Sequence, residues 1–322
     1  MMMSMSMHDC TILCPGQGAQ SVGMGQAWCE ASPEAAAVMA EADRILSGSL
    51  SKLLSESCFE GPIDWINRTD VSQPAILACS VACWHGMQAV DPSIESQVTA
   101  GLSLGEYTAL HLAGAMSFED ALLTVAARGR LMQEAAEASK GGMVALMGAD
   151  EAQAVAFCAS VLEGLSSDEV LVPANFNAPG QIVLSGSAGA CEAAAEAAGD
   201  AGYRGKALPV AGAFHSPLMQ SAADQMAEVL DKVALEVPAV KVWSNVTARP
   251  HENDIESIKQ RLVEQITQPV RWSQSLADMV EQGCTGFHEL APGKVLKGLM
   301  KRIDRKLEVH NHDTPDATAV QS

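Results

Sequence analysis

The chain has 322 residues, 48% of them apolar and 18% charged, a balance that supports a large buried core and excludes a disordered protein. Twenty lysines and arginines against 39 aspartates and glutamates leave a net charge of −19. With aromatics at 4%, that argues against a general nucleic-acid binder and against docking on an anionic membrane.

Residues 1–8 lack the basic region and apolar run of a secretory signal and are expected to form a flexible tail. Residues 11–14 are predicted as a buried strand, broken by Pro15-Gly16-Gln17-Gly18, and 33–46 and 73–89 as helices. A short strand at 98–101 runs through Ser103 into a helix from about Leu104. A further helix over about 118–138 carries Arg128 and Arg130 and is expected to end at Gly141-Gly142. The rhythm then changes: strand 143–147, helix 150–164, strands 170–174 and 181–185, helix 188–201, strand 206–210. That β-α-β-β-α-β order is the ferredoxin-like pattern. It is expected as a small domain, 139–210, inserted into a large α/β domain made of 9–138 and 211–310. The large domain continues with helix 217–235, strand 240–245, helices 254–266 and 272–283, strand 286–290 and helix 294–303. Residues 311–322 are polar, without periodicity, and are expected as a second tail. No apolar run is long enough to predict a membrane span.

Nine cysteines form no CxxC, and the close pairs Cys10/Cys14 and Cys79/Cys83 have no further ligands nearby for a metal. They read as small core residues in a reducing compartment.

Chemistry is concentrated in three places. Gly101-Leu102-Ser103-Leu104-Gly105, between a strand and a helix, is the G-x-S-x-G spacing of a nucleophile elbow, although a serine there also serves as a helix cap. A serine nucleophile needs a base. Of eight histidines, His8, His310 and His312 lie in expected tails, His251 in a polar loop, His85 and His111 in apolar helices and His288 on a strand. His215 leaves a strand in a loop just before a helix, where α/β folds place reactive groups, and is either the base or an ordinary loop histidine. No acidic residue announces itself as its partner. Pro15-Gly16-Gln17-Gly18-Ala19-Gln20 could bring backbone N–H groups near an oxyanion but has neither P-loop nor dinucleotide spacing.

Together, PGQGAQ (15–20), GLSLGEYTAL (101–110), RGRLMQ (128–133), NFNAPGQIVLSG (175–186), AFHSPLM (213–219), SNVTA (244–248), PVRW (269–272) and ELAPGKVLKGL (289–299) make the chain resemble the malonyl-CoA:acyl carrier protein transacylases. The resemblance implies a hydrolase-like parallel-sheet domain carrying a ferredoxin-like insert. It implies Ser103 as the acylated nucleophile, His215 as its base, and the amides of Gln17 and Leu104 as the oxyanion hole. Arg128 would hold the malonyl carboxylate, and Gln265 would orient the imidazole through its main-chain carbonyl. Asn175 would line the cleft, and Phe214 would crowd an α-methyl branch. Malonyl-CoA and acyl carrier protein are the implied substrates, with no metal or cofactor, no nucleic acid and no membrane. A monomer in the cytoplasm, or alternatively in a plastid stroma, is expected. Two positions depart from the family pattern: Leu102 and Gly212 stand where many members carry histidine. A serine thioesterase, a polyketide-pathway acyltransferase and a non-catalytic carrier-docking module are the alternatives.

One feature comes from charge alone. Lys294, Lys297, Lys301, Arg302, Arg305 and Lys306 lie within 13 positions, giving about +5 against about −24 for the rest. At helical spacing, Val295, Leu296, Leu299, Met300 and Ile303 form an apolar stripe opposite them. The segment is either a solvated face or a patch that draws anionic substrates to a repellent surface.

Overall fold

In the computed structural model, residues 10–315 are described; the expected tail 1–8 with His8, and residues 316–322, lie outside them. The chain opens with β1 (Cys10–Cys14), followed by α1 (Gln26–Ala31), α2 (Pro33–Ile45), α3 (Leu54–Glu60), α4 (Ile63–Ile66), α5 (Thr69–Val90) and β2 (Ser96–Gly101). Next come α6 (Gly105–Leu112), α7 (Phe118–Ser139), β3 (Gly141–Met147), α8 (Glu151–Leu162), β4 (Leu171–Ala178), β5 (Gln181–Ser187), α9 (Ala188–Ala197) and β6 (Arg204–Ala207). A 3-10 turn, Pro217–Met219, runs into α10 (Gln220–Leu230), β7 (Lys241–Trp243), α11 (Ile255–Thr267), α12 (Trp272–Glu281), β8 (Phe287–Leu290), α13 (Val295–Ile303) and β9 (Val309–His312).

Local chemistry explains several boundaries. Ser32 starts α2 by accepting from the Ala35 amide, with proline at the first helical position. Asp150 and Gln153 form a reciprocal capping box at α8. α7 ends at Ser139, just ahead of Gly141-Gly142 as expected, although both glycines belong to β3, paired with Ser187 and Gly186. The left-handed turn after the helix falls on Lys140, at φ 48°. The predicted helix 217–235 is likewise broken, into the 3-10 turn and a shorter α10.

Two compact units result. The first holds the chain up to Gly129, Val233–Trp243 and the part from Met279 onward. Its sheet is parallel throughout, in the order β7-β2-β1-β8-β9. β1 is buried at every position, as a strand paired on both edges and covered on both faces must be. The chain leaves β1 for β2 on one side and later returns to β8 on the other, so the carboxyl end of β1 is a topological switch point. Cys14 pairs with Gly101, which sets the two loops that follow β1 and β2 side by side.

β9 corrects an expectation. Asn311 and His312 are not tail but the end of a strand in register with β8, Phe287 opposite Val309 and Leu290 opposite His312. His310 and His312 therefore sit in the sheet. An edge strand gains its stability from the backbone ladder, so a polar sequence is tolerated, and the Trp28 indole N–H anchors it by donating to the His312 carbonyl at 2.8 Å.

The second unit is Arg130–Lys232 with Ser244–Asp278. Its antiparallel sheet runs β4-β5-β3-β6. Counted within the insert this is order 2-3-1-4, the ferredoxin-like arrangement. Phe157, Leu171, Phe176, Ile182 and Leu184 pack its core beneath α8 and α9. The unit is wider than 139–210, because residues after α11 join the sheet. Val270 donates to the Ala174 carbonyl and accepts from the Phe176 amide, both at 2.9 Å. Sequence patterns do not reveal a pairing across so long a separation.

Among the described residues no helix is long and apolar enough to cross a membrane, and no cluster of His, Cys, Asp and Glu is arranged to hold a metal. Seven of the nine cysteines are buried. Burial raises the thiols of Cys83 and Cys158 to about 12, which makes these two inert packing groups.

Candidate active site

In the first unit, β2 turns into α6 through Ser103, whose φ of 55° is a left-handed conformation that a serine adopts only under constraint. The flanking glycines supply that constraint. A Cβ on Gly101 would lie 1.9 Å from the Gly105 carbonyl, and one on Gly105 would lie 2.3 Å from the Cys14 carbonyl oxygen. Only hydrogen fits at either place, so the turn closes tightly and lifts the serine out of line with the strand. Leu102 donates its amide to Cys14 at 3.1 Å, lacing the elbow to the end of β1. Gly105→Ala is expected to cost about 3 kcal/mol or more, because neither colliding atom belongs to a side chain that can swing away. A thermal melt of the variant beside the parent checks this, and an unchanged melting temperature would refute it.

Arg128 projects to the same place. It is fully buried; its Nη2 donates to Ser103 Oγ at 3.0 Å and its Nη1 to Gln73 Oε1 at 2.7 Å. Its guanidinium lies 5.4 Å from the Tyr107 ring centre, a cation–π contact. Burial pulls its pKa below the usual arginine range, yet a guanidinium stays charged at any physiological pH. Burial also lifts the Tyr107 phenol to about 12, so the tyrosine remains neutral.

Gln73 was not legible as a site residue, since 73–89 reads as an ordinary helix. A signal exists nonetheless: a glutamine next to Pro74 near the start of a helix that is buried along most of its length must find partners. Its partners are Arg128 and, through its Nε2 at 3.5 Å, Gln17 Oε1. Gln17 Nε2 in turn donates to Ser72 Oγ at 3.0 Å. Ser72, Gln17, Gln73, Arg128 and Ser103 thus form one hydrogen-bonded row. Leu104 stands just before α6 with helical backbone angles, and the amides after it bind carbonyls three residues back, Gly105 to Leu102 and Glu106 to Ser103.

His215, in the second unit, also has a left-handed backbone, at φ 57°. Its Nδ1 lies 2.7 Å from the main-chain oxygen of Gln265. A carbonyl can only accept, so Nδ1 carries a proton, and in the neutral imidazole the lone pair then stands on Nε2. No amide four residues on competes for that carbonyl, for a sequence reason. The last bond of α11 runs from the Gln268 amide to the Glu264 oxygen, and the next donor along would be residue 269, a proline without an N–H. Ser216 caps the turn after the histidine, accepting from the Leu218 amide at 3.3 Å and donating to the Ala213 carbonyl at 2.7 Å. Phe214 and Asn175 are both buried, and Asn175 bridges to Val270, one residue beyond Pro269. A Cβ at Gly212 would lie 2.3 Å from the Ala136 side chain, so this chain has no room there for a histidine while α7 keeps its place.

The basic residues of α13 lie as the charge pattern anticipates, with Lys294, Lys301 and Arg302 exposed and Lys297 half-buried. Leu296, Leu299 and Met300 are buried, but Val295, at 40% exposure, does not belong to the apolar stripe.

The model of the acyl transferase domain family matches residues 11–320. The chain belongs to that family. A malonyl CoA-acyl carrier protein transacylase of Bacillus subtilis is 41% identical over 305 residues, covering 94% of this chain and 92% of its own. The crystal structure of an acyl carrier protein S-malonyltransferase from Vibrio cholerae superposes with a TM-score of 0.88 at 37% identity, over 95% of this chain and 97% of that one. A malonyl-transacylase solved in complex with its type II PKS acyl-carrier protein gives 0.89 at 35% identity, over 97% of both chains. As an acyltransferase of this family, the protein shares its α/β fold.

Proposed function

We propose that the protein transfers the malonyl group from malonyl-CoA to the phosphopantetheine thiol of acyl carrier protein, supplying malonyl units for fatty-acid synthesis. The observation that carries this reading is the buried Arg128 guanidinium donating to Ser103 Oγ. An acyl group on that oxygen has a fixed cation within reach, and only an acyl group ending in a carboxylate gains from it.

The reaction is ping-pong. His215 Nε2 takes the Ser103 hydroxyl proton as Oγ attacks the thioester carbonyl. The oxyanion rests on the amides of Gln17 and Leu104, in a loop and just ahead of a helix whose dipole favours a developing negative charge. Collapse expels CoA, whose thiolate takes the proton from the imidazolium. The carrier thiol then gives its proton to His215 and attacks malonyl-Ser103, and collapse returns the proton to Oγ. Asn175 and Phe214 line the acyl pocket, where Phe214 crowds a branched acyl chain. Acyl transfer between thiols calls for no metal or prosthetic group. Nine free thiols suit a reducing compartment, and we place the protein in the cytoplasm as a monomer.

Intact mass after brief mixing with malonyl-CoA or acetyl-CoA tests the reaction. A malonyl increment that is absent from Ser103→Ala and discharged by carrier protein is expected. Thioester consumption with no increment would instead make the protein a hydrolase. The type II PKS neighbour favours a second acceptor, a polyketide carrier, and parallel discharge by both carriers separates the pathways.

The exposed lysines and arginines of α13 form the docking patch for the CoA phosphates and an acidic carrier. Reversing Lys301 and Arg302 to glutamate is expected to raise the KM for carrier protein by about fivefold or more and to flatten its salt dependence. Unchanged steady-state kinetics at low and high salt would rule the patch out.

A further inference from the structure

We propose that the C-terminal strand β9, through Asn311 and the buried Glu289 beside it, positions the basic helix α13 and so sets the affinity for anionic substrates. This rests on the reading of α13 as the docking patch.

Lys294, at the head of α13, offers its helix no side-chain cap. The cap comes from outside. Glu289, on β8, is fully buried, and its two carboxylate oxygens accept from the Leu296 amide at 2.7 Å and the Lys297 amide at 2.9 Å. These are among the first N–H groups of the helix, where an anion is also favoured by the helix dipole. Asn311 stands opposite Glu289 in the β8–β9 register. Its Nδ2 donates both to Glu289 Oε2 at 3.2 Å and to the Gly293 carbonyl at 2.6 Å. One residue past the strand, Asp313 Oδ1 accepts from the Gly293 amide at 2.6 Å. β9 and the residue after it therefore grip the turn before α13 on both sides and steady the carboxylate that caps it. Burial drives the Glu289 carboxyl up, to about 7, and its N–H donors pull it back, so loss of the Asn311 donor weakens the cap itself.

The functional step follows from the helix's two faces. Leu296, Leu299 and Met300 are buried, while Lys301 and Arg302 stand in solvent on the last turn. A helix pinned at its first turn presents those cations in one direction. A helix released there keeps its apolar anchor but spreads its charges over many orientations, and the ordering cost then falls on binding. Asn311 and Glu289 are in this sense positioning residues.

The test is steady-state transfer by the full chain from malonyl-CoA to carrier protein. The variants are Asn311→Ala, Asp313→Ala and the Lys301→Glu, Arg302→Glu pair, alone and combined with Asn311→Ala. Asn311→Ala is expected to raise the KM for carrier about fivefold, the equivalent of a lost helix cap, with kcat unchanged and a flatter salt dependence. Added to the charge-reversed pair it is expected to change nothing further. A fall in kcat at constant KM would show a merely structural role and overturn the proposal. If charge reversal leaves KM alone, the docking patch itself fails. If reversal raises KM and neither Asn311→Ala nor Asp313→Ala does, only the positioning fails. Asp313 is exposed, so its variant keeps the test open should Asn311→Ala not fold.

Discussion

Arg128→Ala is expected to slow malonyl loading of Ser103 by about 10²–10³-fold, the range for truncating one member of a buried charge pair. Acetyl loading is expected to stay within about tenfold of the parent, because an acetyl group has no carboxylate to lose. The contrast follows from the geometry. Nη1 of the guanidinium is held by Gln73 and Nη2 donates to Ser103 Oγ, so on the proposed reading the cation is aimed at the acyl group and not at solvent. Arg128→Lys is expected to recover little, since one ammonium cannot bind Gln73 and fork onto a carboxylate. Gln73→Ala, which leaves the charge but frees the fork, is expected to cost malonyl loading about tenfold, the worth of one buried hydrogen bond. Time courses of intact mass with the two thioesters read all of these. Equal losses for malonyl and acetyl would make Arg128 a prop for the elbow and not the reader of the acyl group.

Why some of this was legible and some was not has a physical basis. Ser103 and His215 stand in turns whose backbone demands leave marks in the sequence. Gly101 and Gly105 mark the elbow, and the strand-to-helix break marks the histidine loop. The βαββαβ order of the second unit was readable because β3, β4 and β5 each turn one face to the core beneath α8 and α9. Gln73 left no such mark, because a buried polar side chain is recognised by its partners, and Arg128 and Gln17 are more than 50 positions away in opposite directions. β9 was missed for a related reason. Its residues are chosen for hydrogen bonds to Glu289 and Gly293, not for alternating hydrophobicity, so period-2 patterning fails on it. The reach of the second unit past residue 210 depends on Val270 pairing with β4, a contact between distant segments that leaves no local pattern.

His215→Ala is expected to reduce kcat by about 10²–10⁴-fold, the worth of a positioned general base, with acyl-Ser103 still detectable at long times. The same histidine yields a sharper test. In many serine enzymes a carboxylate holds the histidine, but here His215 Nδ1 meets the main-chain oxygen of Gln265, for which residue 269, a proline, offers no competing amide. A backbone oxygen survives any side-chain change. Gln265→Ala is therefore expected to keep kcat within about threefold of the parent, although emptying a buried side-chain site will lower its melting temperature. Pro269→Ala works in the opposite sense. It supplies the N–H that would continue α11 and compete with Nδ1 for the same carbonyl. Losing the better part of that hydrogen bond is expected to lower kcat about tenfold and to loosen the tautomer that puts the proton on Nδ1. Pre-steady-state loading of Ser103, measured across pH for both variants, decides the matter. A collapse of kcat in Gln265→Ala at unchanged melting temperature would show that the side chain, and not the carbonyl, holds the base.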